Sequence, residues 1–96
     1  MACVYILYSK KLDRYYTGSC KDFQSRLTQH LEKVNSGFTA RADDWEPFLV
    51  IEDLDYKQAR AMEAHIKKMK SRTYIQNLRK YPELVDKLKR NFNDNL

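Results

Sequence analysis

Two short runs of β-branched and aromatic residues near the N-terminus place the tightest limit on the fold of this chain. They read CVYILYS at 3–9 and RYYTGSC at 14–20, and the polar stretch KKLD separates them. Residues of this kind favour strands, and so short a polar connection joins antiparallel neighbours. The sequence therefore predicts a β-hairpin with a four-residue loop at 10–13.

The four-residue loop also sets the register of the predicted hairpin. It pairs Ser9 with Arg14, so the numbers of paired residues add up to 23. Tyr5 then lies opposite Gly18, and Tyr16 lies diagonally from Tyr5 on the same face of the sheet. A glycine beside two phenols leaves open space, which suits a pocket, although tyrosines are also common packing residues in strands. Both interpretations stay open.

Helical periodicity and capping residues divide the rest of the chain. A first helix is predicted at about 22–34, because apolar side chains recur at helical spacing after Asp22 and stop before Gly37. The segment FTARADDWEP indicates a loop, and FLVIEDL at 48–54 a third strand.

Asp55, Ser71 and Pro82 each stand where a further helix would begin, since Asp and Ser are good N-caps and proline suits the first helical position. The inward face of the first of these helices consists of Ala59, Met62, Ile66 and Met69, and that of the last of Val85, Leu88 and Phe92.

The predicted fold is α+β, a small three-stranded antiparallel sheet flanked by helices, in the order β-β-α-β-α-α-α. We expect residues 1–80 to form one domain, and residues 81–96 to add a basic helix that packs on that domain or extends it. Ninety-six residues suffice for one modest core.

Positive charge is concentrated in the C-terminal half. The net charge is +5, yet residues 1–55 carry seven basic and nine acidic groups, whereas residues 56–92 carry eleven and three. Such a surface suits a polyanion, with nucleic acid as the leading candidate, although a solvated helix surface has the same composition. On the last helix, Lys87, Lys89 and Arg90 could contact backbone phosphates, or this helix could equally be a packing element.

The sequence also indicates the cellular compartment and the state of the two cysteines. No apolar run approaches the roughly 18 residues that span a membrane, and no leader segment is recognisable, so we expect a cytoplasmic protein without a membrane anchor. Cys3 and Cys20 make neither a disulfide framework nor a zinc site. We expect both to be buried and reduced.

Three polar side chains border the apolar faces of the predicted helices. Arg26 and His30 lie four residues apart on the first helix, so they project from the same side. Glu63 borders the apolar face of the next helix, with Lys67 one turn onward. A solvated Arg and His, and a Glu–Lys pair worth roughly 0.3–0.5 kcal/mol, would explain these residues without any function.

Together, CVY at 3–5, YTG at 16–18, Arg26, His30 and Glu63 resemble the GIY-YIG nuclease superfamily. The chain looks like a small single-domain member, similar to the nuclease module at the N-terminus of the bacterial excision-repair incision subunit. The resemblance covers roughly residues 2–80. It implies a metal-dependent endonuclease that hydrolyses DNA.

The resemblance also implies a role for each residue. Phosphodiester hydrolysis needs an activated water and neutralisation of charge on the phosphate. Glu63 would be the sole protein carboxylate on a Mg²⁺ or Mn²⁺ ion, and Arg26 would clamp the scissile phosphate. Tyr5 and Tyr16 would position and deprotonate the water. His30 would hydrogen-bond a phosphate oxygen or tune a tyrosine.

The chain departs from the family's pattern at both tyrosine motifs. Ser19 stands where many members carry a lysine, so phosphate binding would weaken unless Lys21 or Lys10 compensates. The other departures, which mostly change packing, are Cys3, Val4 and Thr17. The residues expected to contact nucleic acid are Lys10, Lys21, Lys67, Lys70, Arg72 and Asn77.

The resemblance leaves the substrate open among duplex, single-stranded and branched DNA, in repair, recombination or mobile-element processing, and the protein could act as a monomer or a weak dimer. An alternative is a catalytically inactive nucleic-acid-binding module, which would share the basic surface. A protein-interaction module, the remaining alternative, would have negligible affinity for DNA.

Overall fold

A computed structural model describes residues 2–21 and 44–93 of the chain. The predicted helix at 22–34 lies outside the described residues, and so do Arg26 and His30. The strands are β1 (Ala2–Ser9), β2 (Arg14–Cys20) and β3 (Glu46–Leu54), and the helices are α1 (Tyr56–Met69), α2 (Arg72–Lys80) and α3 (Pro82–Asn91). The α+β class and the order of these elements are those predicted.

The three strands form one antiparallel sheet with the order β2-β1-β3. Ser9 pairs with Arg14 and Tyr5 pairs with Gly18, which confirms both the four-residue loop and the predicted register. Asp13, the last residue of the loop, has a φ angle of 51°. Aspartate tolerates this left-handed conformation better than most residues do.

β3 begins two residues earlier than predicted. Glu46 and Pro47 were expected in a loop, but they pair with Tyr8 and Leu7 of β1. The prediction was wrong here because β3 is an edge strand, where proline is tolerated, whereas proline within a strand pattern argues against a central strand. The register also shifts between Ile6 and Leu7, beside this proline.

Side chains of the sheet alternate between two buried clusters, one on each face. The helix-side cluster joins Val4, Ile6, Ile51 and Leu54 of the sheet to Met62, Ile66, Ile75, Leu78 and Leu88 of the helices. The tyrosine-side cluster consists of Cys3, Tyr5, Leu7, Cys20 and Trp45. The helices α1, α2 and α3 therefore lie on one face of the sheet, and Tyr5 packs on the other.

The helices begin as predicted. The Asp55 carboxylate accepts a hydrogen bond of 2.6 Å from the backbone N–H of Gln58, and Ser71 Oγ accepts one of 3.1 Å from that of Tyr74. These bonds satisfy donors that a helix start otherwise leaves without partners. Pro82 occupies the first turn of α3. None of the described helices is long and apolar enough to cross a membrane.

The inward face of α1 is shorter than predicted. Ala59, Met62 and Ile66 are buried, but Met69 is 45% exposed. The prediction for Met69 was wrong because α1 ends there and Lys70 turns the chain with a φ angle of 48°. Helical spacing assigns a face only while the helix continues.

Gly18 makes room for the ring of Tyr5. A Cβ atom at Gly18 would lie 2.5 Å from both Cζ and Oη of Tyr5. The Tyr5 side chain is buried in the tyrosine-side cluster and cannot swing into solvent. The space that the sequence indicated beside the two phenols is therefore filled by one of them.

We predict that Gly18→Ala destabilises the fold by about 1–3 kcal/mol, because the added methyl group overpacks the sheet against the Tyr5 ring. Urea denaturation of the two proteins measures the difference. In a Tyr5→Val background the same substitution should cost much less, since the ring is gone. Equal costs in both backgrounds would show that the ring is not the obstacle.

A clamp of Tyr8, Asp13 and Arg72 joins the hairpin loop to the start of α2. The Arg72 guanidinium donates two hydrogen bonds to the Asp13 carboxylate, at 2.5 and 3.0 Å, and Tyr8 Oη donates a third at 2.7 Å. The guanidinium also stacks over the Tyr15 ring, 5.6 Å from its centroid. The hydrogen bonds from Arg72 and Tyr8 lower the pKa of Asp13 from 3.8 to about 2.

We predict that this clamp makes stability fall in acid. The pKa of Asp13 is lowered by folding, so its contribution is complete above about pH 4 and is lost as the pH falls toward 2. Between pH 4.5 and 2, the melting temperature of the wild type should fall more steeply than that of Asp13→Asn, which keeps a residue suited to the left-handed φ. Asp86→Asn, an exposed change on α3, should follow the wild type. Parallel curves for wild type and Asp13→Asn would contradict the role of the clamp.

Candidate active site at the edge strand

Tyr5 and Tyr16 lie together on the tyrosine-side face, as the register predicted. Their ring centroids are 6.4 Å apart, and Trp45 packs edge-on against Tyr16 at 6.3 Å. Tyr5 is 2% exposed, whereas Tyr16 is only half-buried. Because Gly18 belongs to the edge strand β2, the Tyr5 phenol extends from the central strand toward the edge of the sheet.

The carboxylate of Glu63 is held at the same edge strand by two contacts. The hydroxyl of Ser19 donates a hydrogen bond to Oε1, and the Lys67 ammonium lies 2.6 Å from Oε2. The ordinary i,i+4 pair with Lys67 is therefore present, but it does not account for the whole environment. Ser19 ties the carboxylate to the sheet, and the Glu63 side chain keeps 22% of its surface exposed.

The tyrosine pair and Glu63 approach β2 from opposite faces of the sheet. Ser19 pairs with Val4 and so lies on the helix side, whereas Gly18 pairs with Tyr5 on the tyrosine side. The two positions are nevertheless consecutive residues of an edge strand. The Tyr5 phenol and the Glu63 carboxylate therefore meet β2 one residue apart, at the border of the sheet.

A groove of about 780 Å³ runs along β2 toward the start of α2. Tyr16 of β2 and Lys67 of α1 both line it. Its only acid among the described residues is Asp13, which is paired with Arg72. Its basic lining residues are Arg14, Lys67, Lys70 and Arg72.

The residues expected to bind nucleic acid fall into two groups. Lys67, Lys70 and Arg72 line the groove. The others lie elsewhere: Lys10 is exposed in the hairpin loop, Lys21 lies 5.3 Å from the centroid of the Tyr56 ring, and Asn77 is half-buried on α2.

Lys67 brings a positive charge to Glu63, the carboxylate that Ser19 also contacts. The sequence suggested that Lys21 or Lys10 could compensate for Ser19 in phosphate binding, and this stays a prediction; the ion pair with Glu63 is made by Lys67. The spacing of four residues between Glu63 and Lys67 on α1 already predicted this ion pair. Ser19 itself could also have been recognised, because the predicted register places it beside Val4, on the face that α1 covers.

The donor set at Glu63 fits a hard divalent cation that keeps most of its water. Within the ranges 2–21 and 44–93, no three His, Cys, Asp or Glu side chains gather at one point, so Glu63 would be a single carboxylate ligand. Mg²⁺ is often bound by one or two carboxylates together with waters and substrate phosphates. The Lys67 ammonium now holds Oε2, so a metal ion there would compete with it.

Comparison with known proteins identifies the family. The family profile described as the GIY-YIG catalytic domain matches residues 1–79, which is most of the chain. No curated protein matches, and no solved structure does either. Similarity to the excision-repair incision subunit stays a prediction. On the strength of the profile match, this chain belongs to the GIY-YIG catalytic domain family, a family of nucleases.

Proposed function

We propose that the protein is a metal-dependent endonuclease that hydrolyses DNA phosphodiester bonds at the edge strand β2. The observation that carries the proposal is the position of the Glu63 carboxylate. It is bound to Ser19, next to the Gly18 over which the Tyr5 phenol lies. A metal-binding group and a proton-transferring group would thus act at neighbouring points of one strand, in a family that generally depends on divalent metals.

Each residue then has a distinct task. Glu63 would hold Mg²⁺ or Mn²⁺, which when bound supplies charge neutralisation at the phosphate. Tyr5 and Tyr16 would orient the attacking water and accept its proton. Arg26 would clamp the scissile phosphate in a bidentate manner, and His30 would hydrogen-bond a phosphate oxygen or a tyrosine. The roles of Arg26 and His30 remain assignments from the family pattern.

Lys67 links the carboxylate to the groove. It balances the charge of Glu63 at 2.6 Å and also lines the groove. A flexible ammonium can exchange one anionic partner for another at low cost, because exposed ion pairs are weak. When Glu63 binds another cation, Lys67 would become available to a backbone phosphate.

The groove would be the path of the nucleic acid backbone. Arg14, Lys67 and Lys70 supply positive charge, and Tyr15 and Tyr16 are also among the residues that line the groove, although their rings lie on opposite faces of the sheet. Cations that follow a backbone, combined with aromatic faces on which bases stack, are typical of single-strand binding. We therefore favour single-stranded or branched DNA, which fits repair, recombination or mobile-element processing. Residues 1–80 would be the catalytic unit, with α3 as an added packing element.

Glu63→Gln should lower cleavage by at least about 100-fold, because the charge that holds the metal is lost while the amide oxygen can still accept a hydrogen bond from Ser19. The assay uses plasmid, single-stranded and branched DNA with Mg²⁺ or Mn²⁺, and a chelator should abolish activity. The matched control is Glu83→Gln on α3, which should cleave as the wild type does.

The outcomes separate the alternatives. Cleavage that survives Glu63→Gln would show that the site assignment is wrong. DNA binding without cleavage of any substrate by the wild type would favour the inactive nucleic-acid-binding module. Neither binding nor cleavage would favour a protein-interaction module.

Removal of single charges from the groove should weaken DNA binding and its salt dependence. Arg14→Gln or Lys70→Asn should each reduce the slope of log affinity against log salt by about 0.7 for single-stranded DNA, if each side chain contacts one phosphate. Asparagine suits the left-handed backbone at Lys70. Fluorescence anisotropy over a salt series measures the slope.

Lys68→Ala is the matched control, since Lys68 is exposed on α1 but does not line the groove. Its slope should equal that of the wild type. If Lys68→Ala lowers the slope as much as Lys70→Asn does, binding follows total charge and the groove is not the path.

A further inference from the structure

Cys3 and Cys20 are directly paired across the hairpin. Cys3 of β1 lies opposite Cys20 of β2, and their Sγ atoms are 3.2 Å apart. Both side chains are buried on the tyrosine side, and neither forms a disulfide. The expectation that they are buried is confirmed, the reduced state stays a prediction, and their close approach was not anticipated. Neither cysteine has a part in the function proposed above.

The backbone already has the spacing that a disulfide requires. Directly opposite residues of an antiparallel pair have Cα atoms about 4.5 or 5.5 Å apart, depending on their hydrogen bonding. Disulfides span Cα separations of roughly 4.4–6.8 Å, so both kinds of pair fall within the range. From 3.2 Å, the two sulfurs need to approach by only about 1 Å to bond.

We propose that Cys3 and Cys20 form a redox-active dithiol that a hydroperoxide converts into a disulfide across β1 and β2. The observation that carries the proposal is the buried 3.2 Å contact between the sulfurs of two directly paired residues. Neither cysteine lines the groove, and the proposal holds whether or not the protein is a nuclease.

The chemistry balances with one molecule of hydroperoxide. Cys20 is the more exposed of the two residues, at 8% against 2% for Cys3, so we expect it to react first. Its thiolate attacks one oxygen of hydrogen peroxide, the O–O bond breaks, and a sulfenic acid and hydroxide form. The Cys3 thiolate then attacks that sulfur, the S–O bond breaks, and a second hydroxide leaves. With the two thiol protons, the products are one disulfide and two waters.

The disulfide would restrain the edge strand. It would close a loop between residues 17 apart and join β1 to β2 beside Gly18 and Ser19. Because a cross-link reduces the freedom of the unfolded chain, the oxidised protein should melt at a higher temperature, by about 5 °C or more. A thiol reductant should reverse the change.

The test is oxidation of the folded chain with hydrogen peroxide, followed by maleimide labelling under denaturing conditions and intact mass spectrometry. The wild type should lose two hydrogens, bind no maleimide and stay monomeric on a non-reducing gel. After dithiothreitol it should bind two maleimides. Non-reducing digestion should yield one peptide pair that joins Cys3 to Cys20.

Cys3→Ala and Cys20→Ala are the controls, and neither should lose two hydrogens or gain thermal stability on oxidation. The disulfide-linked peptides from the digested wild type show whether Cys3 and Cys20 are joined, even if a variant fails to fold. Three results would overturn the proposal: two labelled thiols after peroxide, cross-linking only between chains, or an oxidised protein that melts below the reduced one. None of these readouts depends on nuclease activity.

Discussion

The pairing of Ser9 with Arg14 is the constraint on which the other contacts of this domain depend. It sets the hairpin register, and the register assigns each side chain of β1 and β2 to a face. A slip of one residue would turn Tyr16 away from Tyr5 and remove Ser19 from the face that α1 covers. The core, the tyrosine pair and the hydrogen bond to Glu63 thus all depend on the register that a polar loop of four residues sets.

Local rules predicted much of this arrangement, because loop length, capping and alternation each act over a few residues. The hairpin, the caps at Asp55 and Ser71, and the shared face of Tyr5 and Tyr16 all follow from such rules. What these rules do not predict is contacts between distant parts of the chain. Trp45 packs on Tyr16 from a segment predicted as a loop, and only the assembled sheet brings the two together.

Glu63 illustrates how a tertiary contact changes the meaning of a local one. Within α1 its pair with Lys67 is worth little and would suit any solvated helix. The hydroxyl of Ser19 adds a partner from the sheet, so the carboxylate is held in place and only partly solvated. Ser19, one of the departures from the family's motif, therefore has a structural contact in this chain, with the carboxylate that Lys67 also binds.

Pro47 has a consequence for the behaviour of the protein in solution. Among the described strands, β3 is an outer one, and an exposed outer strand is a template on which other chains can add and aggregate. At Pro47 an incoming strand would find no N–H donor, next to a shift in register and between the exposed carboxylates of Glu46 and Glu52. Pro47, which made the start of β3 look like a loop in the sequence, therefore opposes the addition of another chain to this strand.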